Sequence, residues 1–275
     1  MRLHIEELWG PAAEADLLAL TAARESDDLA GALLAIEGAP RAAAQDARQR
    51  LDDLTLEARL QLAGAHGPAE RALALGQALR LFRGDLDDPQ AARNSHLTRV
   101  LTRHRGLPIL LSAVWMLIGR GAGLAVDGVG LPARFVVRVG GPDGVLVDPF
   151  EQGALRTVDD CRRLVGRLAG VPWNDGFLRA VRPDELLARV LRNLVGTYQA
   201  TDDDLPLYRV ARLWTSVTPG NVEPRLLAAQ VAERLGANTL AASALREALD
   251  CLPPEPVARR VAAALSRLER LGGAN

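Results

Sequence analysis

The chain contains no lysine; all 33 of its Lys+Arg residues are arginine. Coding in a GC-rich genome accounts for such usage, yet it has a chemical consequence. A lysine Schiff base or a Ser-Lys couple has no amine to draw on in these 275 residues. Cysteine is almost as scarce, and two residues, Cys161 and Cys251, do not make a disulfide framework. No apolar run reaches the roughly 18 residues of a membrane span. The opening MRLHIEELWG has no basic start followed by an apolar block, so no signal peptide is expected. Net charge is −1, which removes any global field toward nucleic acid or anionic lipid. These absences point to a cytoplasmic protein without nucleic-acid or membrane partners.

What remains is a helix-rich chain, 48% hydrophobic, large enough for one big core or two modest ones. Residues 1–90 have helical spacing. Arg41 to Ala63 reads as one long amphipathic helix and Ala69 to Phe82 as another. GDLDDPQ, from Gly84 to Gln90, interrupts the pattern, after which Asn94 or Ser95 can cap a helix to about His104. From Leu107 to Ile118 nearly every side chain is apolar, so this helix belongs at the centre of a fold. Pro108 suits its first position, and Gly119, Gly121 and Gly123 end it. Strands follow at Val126 to Leu131, Ala133 to Val139 and Val145 to Phe150, the last two joined by the turn GGPDG.

The chain is helical again from about Asp159 and carries a repeat. Pro219 and Pro253 lie 34 residues apart. The same offset relates Val210 to Ala244, Trp214 to Ala248 and Val217 to Cys251. Thirty-four residues is the tetratricopeptide period, which places units at about 187–219 and 221–253 and a last helix from Glu255 to Leu271. The expected organisation is a helical region at 1–90, a core at 91–182 and tetratricopeptide-like helices at 183–275.

Candidate chemistry centres on the hairpin. If Val139 pairs with Val145, then Val136 lies opposite Asp148. One face then carries Phe135, Val137, Val145 and Val147 as core. The other carries Arg134, Val136, Arg138, Leu146 and Asp148, with both arginines diagonal to the aspartate. A buried helix, a strand with one special residue and a strand ending in Asp is the layout of papain-like thiol enzymes.

NSHLTRVLTRHRGLPILLSAVW, VGLPARFVVRV and VLVDPFEQG, in that order, resemble the transglutaminase-like core of bacterial SirB-type proteins. The resemblance implies an α+β fold with N-terminal helices and tetratricopeptide-like C-terminal helices. It also implies a histidine where this chain has Arg134, since the family reads Pro-Gly-His-Phe against Pro132, Ala133, Arg134, Phe135. Asp148 matches the family's Asp-Pro-Phe aspartate. The thiol of true transglutaminases would fall between about Leu107 and Leu111, where no cysteine stands.

Guanidinium has no acceptor, so Arg134 cannot take a proton from a nucleophile. The reading is therefore a degenerate, non-catalytic domain that binds another protein or peptide through the Arg134 face or the C-terminal hairpins, with no cofactor. Arg134 beside Asp148 is either an ion pair that replaces the lost imidazole or, with Arg138, a site for a carboxylate or phosphate. The rival reading is a residual hydrolase or acyl transferase using Ser112, a hydroxyl whose structural alternative is a bond back to its own helix. His96, His104 and the arginines around them, with Asn94, form a local basic patch or simply a solvated face. Their donors are too few for a metal.

Overall fold

The computed structural model describes residues 9–88, 90–251 and 256–272. Pro253, one of the two repeat-marking prolines, lies outside the described residues. The protein is mostly helical with one small antiparallel sheet, and its internal contacts divide it into two units. Residues 27–190 form one, and residues 1–26 with 191–275 form the other. This division differs from the three consecutive regions expected, because residues 27–90 group with the sheet and the first described helix groups with the last described ones.

The unit 27–190 is built on apolar helices. Asp28 caps α2 (Leu29–Glu37; α1 belongs to the other unit) by accepting from the Gly31 N–H at 2.8 Å. Helix α3 (Arg41–Gln61) ends two residues short of the sequence expectation, and α4 (Gly67–Ala78) stops at Ala78 rather than Phe82. Asn94 and Ser95 sit in a 3-10 turn and cap nothing; His96 occupies the N-cap of α5 (Leu97–Arg103) without a side-chain bond. A two-residue parallel pairing then joins β1 (Arg83–Gly84) to β2 (Arg105–Gly106). Helix α6 (Pro108–Gly121) starts at its proline and buries ten residues, as an all-round apolar segment must.

The sheet runs β3 (Val126–Val129), β4 (Val136–Val139), β5 (Val145–Asp148) and β6 (Ala154–Arg156), each antiparallel to its neighbour. Val139 pairs with Val145, the register expected from the turn. Two features depart from expectation. Pro132 and Ala133 form a turn rather than strand, with Ala133 at φ 56° and the Arg134 N–H bonded to the Leu131 carbonyl at 3.3 Å. Furthermore, the face expected to line a cleft is covered. Helix α7 (Val158–Ala169) brings Cys161, Leu164 and Val165 against Val129, Leu131, Val136 and Leu146, with Trp173, Phe177 and Leu178 closing the edge. Helices α4 and α6 cover the other face. A sheet buried on both sides needs apolar residues at successive positions, which is why Val136 and Val137 are both fully buried.

The second unit has α1 (Pro11–Glu25) and the chain from Leu191 onward. It takes in the end of α8 (Pro183–Ala200), then α9 (Asp204–Val217), α10 (Glu223–Arg234), α11 (Asn238–Leu249) and α12 (Val257–Gly272). Helices α9 to α12 pack each on the next. Of the residues matched at the 34-residue offset, Val210, Trp214, Val217, Ala244 and Ala248 are buried, whereas Pro219 is exposed and Cys251 only half-buried, its thiol directed at the Pro219 carbonyl. Asp16 holds Arg209 at 2.7 Å, and Arg24 donates to the Ser216 carbonyl at 2.9 Å, which fixes α1 to α9.

Gly153, between β5 and β6, has φ 80°, and a Cβ there would sit 2.8 Å from the Trp115 ring. Gly153→Ala is expected to cost about 1–3 kcal/mol in urea unfolding. Gly166→Ala, in the middle of α7 with open space around its Cβ position, is expected to gain about 0.5–1 kcal/mol. Equal effects would show that the β5–β6 connection tolerates a side chain.

Candidate functional site

The β5–β6 hairpin, too short to announce itself in the sequence, assembles the polar centre of the unit. Asp148 ends β5, and its side chain has no exposed surface. Its Oδ1 accepts from the Phe150 N–H at 3.1 Å, starting the 3-10 turn Pro149–Glu151. The chain then returns through Gly153, whose N–H donates to the Asp148 carbonyl at 3.0 Å. This return pairs Asp148 with Ala154 and Leu146 with Arg156. Arg156 is thereby diagonal to Asp148 on one face, and its Nη2 donates to Oδ2 at 3.3 Å.

Arg134 reaches the same carboxylate from the turn before β4. Its Nε lies 3.9 Å from Asp148 Oδ2 and its Nη2 3.7 Å from Glu151 Oε1, so it makes long ion pairs rather than a bidentate bond. Its guanidinium also stacks over the Phe150 ring at 4.4 Å. Gly84 lets that ring approach, because a Cβ there would come within 2.3 Å of it. With 9% of its surface exposed, Arg134 is nearly as enclosed as its partner. The Nε atoms of Arg134 and Arg156 are both buried without a hydrogen-bond partner.

Burial raises the Asp148 carboxyl above its ordinary 3.8, although Arg134 and Arg156 pull it down; Glu151 adds to the rise. Magnitudes explain the contest. A cation about 4 Å away contributes about 4 kcal/mol at an effective dielectric near 20, while burying a carboxylate costs several kcal/mol. Cys161 faces the same region, and burial pushes its thiol up to about 11, with Arg156 lowering it and Asp148 and Asp160 raising it further. A fully buried thiol with that pKa holds almost no thiolate at neutral pH. Ser112 is fully buried and donates to the Phe135 carbonyl at 3.2 Å, not to a carbonyl of its own helix. Both arginines can only donate. This arrangement sets two cations that cannot accept a proton against the buried carboxylate of Asp148.

The remaining candidate residues lie elsewhere. Arg138 donates to the Leu178 carbonyl at 2.7 Å and does not join the Asp148 cluster; Arg156 stands where it was expected. Asn94 is fully buried, donating to the Asp88 carbonyl at 2.7 Å and accepting from Arg103 at 2.9 Å. Arg103 also donates to the buried Asp85 at 2.7 Å, and Arg105 pairs with Asp87 at 2.6 Å. Burial works against the Asp85 charge, but the Arg103 bond and the Asp87 and Asp88 N–H groups outweigh it and hold the carboxyl below 3.8. The basic patch read around Asn94 thus has two of its arginines committed to carboxylates. Among the described residues no group of three His, Cys, Asp or Glu could hold a metal ion, and no helix is long and apolar enough to cross a membrane.

A model of the transglutaminase-like superfamily matches residues 45–192, the stretch that contains this cluster. A UPF0162 protein of Xylella fastidiosa (strain 9a5c) is 35% identical over 127 residues, 44% of this chain and 45% of that one. The chain therefore spans about half the length of that relative. UPF0162 protein PA3419 of Pseudomonas aeruginosa is 32% identical over 184 residues, 65% of this chain and 67% of that one. F-box only protein 21 of Mus musculus is 28% identical over 167 residues, which are 56% of this chain and 26% of that protein. No solved structure matches.

Removing Arg156 takes away a cation that favours only the charged form of Asp148, so the folded-state pKa rises further. The resulting penalty is present above that pKa and absent where Asp148 is protonated. Arg156→Leu is expected to cost about 1–3 kcal/mol at pH 7 and clearly less at pH 4. Arg138→Leu removes a bond to a carbonyl that does not titrate, so its cost should differ little between the two pH values. Urea unfolding at both pH values checks this; a cost of Arg156→Leu that grows toward pH 4 contradicts the assignment.

Proposed function

The chain belongs to the transglutaminase-like superfamily, and from that premise we propose a non-catalytic member that serves as a protein-interaction or regulatory module. One observation carries the reading. Where the family pattern has a histidine this chain has Arg134, a group that cannot accept a proton, turned toward a carboxylate with no exposed surface. The missing thiol between Leu107 and Leu111 supports it from the other side of the site. Resemblance to SirB-type proteins fits the same reading, as does a tetratricopeptide-like description of α8 to α11, whose two hairpins follow the 34-residue spacing. With the sheet covered on both faces, the C-terminal helices are the better contact surface for a partner protein or peptide. The segment shared with F-box only protein 21 is a small part of that longer protein, which suits a module used in different settings. A cytoplasmic setting belongs to the proposal too, since Cys161 and Cys251 are both free.

The rival, a residual hydrolase or acyl transferase working through Ser112, requires that hydroxyl to leave the Phe135 carbonyl and find a base. Mass-mapped labelling of the native protein with a serine-directed and a thiol-directed electrophile separates the two. We expect no site-selective modification of Ser112 or Cys161 until the chain is unfolded. Rapid, saturable labelling of either in the native state, lost in Asp148→Asn, would overturn the non-catalytic reading.

A further inference from the structure

The unit that contains α9 to α12 has a cavity of about 540 Å³ lined from α8, α9 and α10. That size lies within the range of small-ligand sites, roughly 300–1,000 Å³. Val195, Trp214, Leu226 and Leu227 supply its apolar wall, while Arg192 and Glu223 bring opposite charges to it. Five arginines of this unit are committed to carboxylates: Arg209 to Asp16, Arg212 to Glu247, Arg234 to Asp204, Arg246 to Glu269 and Arg267 to Glu233. Arg192 differs, lying over the Trp214 ring at 5.6 Å with no ion pair among the described residues. The Glu223 carboxylate likewise has no ion pair among them, with Arg192 or any other group. Gln199 and Gln230, which complete the polar lining, have side-chain amides with no protein partner there.

A second observation concerns the wall itself. Trp214 is almost fully buried, yet its indole N–H has no hydrogen-bond partner. The nitrogen is itself sealed from solvent, so the indole reports on the wall of the cavity rather than donating into it. One cavity thus combines an apolar wall with a cation and an anion that make no ion pair among the described residues. We propose that it binds a small zwitterion with an apolar body: a free amino acid or a short peptide that carries both its α-ammonium and its α-carboxylate. The carboxylate is held by Arg192, the ammonium by Glu223, and the side chain rests on Leu226 and Leu227. A longer protein segment cannot present both termini in one cavity, which separates this ligand from a docked partner. The inference uses the helices already read as a contact surface, but it does not depend on the transglutaminase-like core being inert.

The test is an NMR titration of the full chain, following the Trp214 indole N–H signal, assigned with Trp214→Phe. The probes are L-leucine, Leu-Leu, and Leu-Leu blocked by N-acetyl and C-amide groups. We expect a saturable shift with leucine or Leu-Leu, and roughly tenfold or greater weakening for the blocked dipeptide and for Arg192→Ala. Glu223→Gln should weaken the free dipeptide but not an N-acetylated one. A shift with leucine identifies the amino acid as the ligand, and a shift with Leu-Leu alone identifies the short peptide. Absence of any saturable shift through the millimolar range, or equal binding of free and blocked dipeptide, overturns the proposal. Because Arg192 and Glu223 are exposed, their variants should keep the fold, which the dispersion of the same spectra verifies.

Discussion

A carboxylate sealed from water has to be met by donors and cations, and Asp148 imposes that requirement on the middle of the sheet-bearing unit. The turn after β5 starts at its Oδ1, β6 returns at a register that lets Arg156 reach its Oδ2, and Arg134 closes in from the turn before β4. Even the ring of Phe150, seated against Gly84 and under the Arg134 guanidinium, belongs to this arrangement. The outcome is a balance rather than a strong bond. Two cations face one aspartate, with Glu151 near Arg134, and burial still leaves the aspartate harder to ionise than it would be in water.

That balance bears on what the superfamily fold does here. In a thiol enzyme an aspartate at this place orients an imidazole, which needs an exposed nucleophile and a group that can take and return a proton. This chain keeps the aspartate and sets beside it two arginines that only donate. The nearby hydroxyl of Ser112 is committed to a backbone carbonyl, and the thiol of Cys161 is buried and strongly protonated. The fold is retained with Arg134, which cannot accept a proton, where the family pattern has a histidine. In the other unit, by contrast, Arg192 and Glu223 line a cavity without an ion pair among the described residues.

Much of this architecture was legible in the residues. The all-apolar run after Leu107 marks α6 because no surface helix can carry it, and the turn GGPDG determines the Val139–Val145 register. Proximity of Arg134 to Asp148 followed from that register, although Arg134 lies in a turn and not on the strand. What the pattern hid were short or one-sided elements. Strand β6 is three residues long with Leu155 exposed, too brief for an alternation to mark Arg156 as part of the site. The signal was present in the glycine at 153 and the basic residue three positions after it. Covering of the second sheet face depends on α7, whose apolar stripe says that it packs but not on what. Asn94 read as a surface cap because asparagine so often is one, whereas its amide is spent inside a buried network with Arg103 and Asp85.

The most direct measurement is a pH titration of the Asp148 side-chain carboxyl by carbon-13 NMR, assigned with Asp148→Asn. A midpoint above the ordinary 3.8 is the expected result, since burial outweighs Arg134 and Arg156. A midpoint at or below 3.8 would contradict it, because Asp148 would then be a well-solvated or strongly paired carboxylate and the site more open than described.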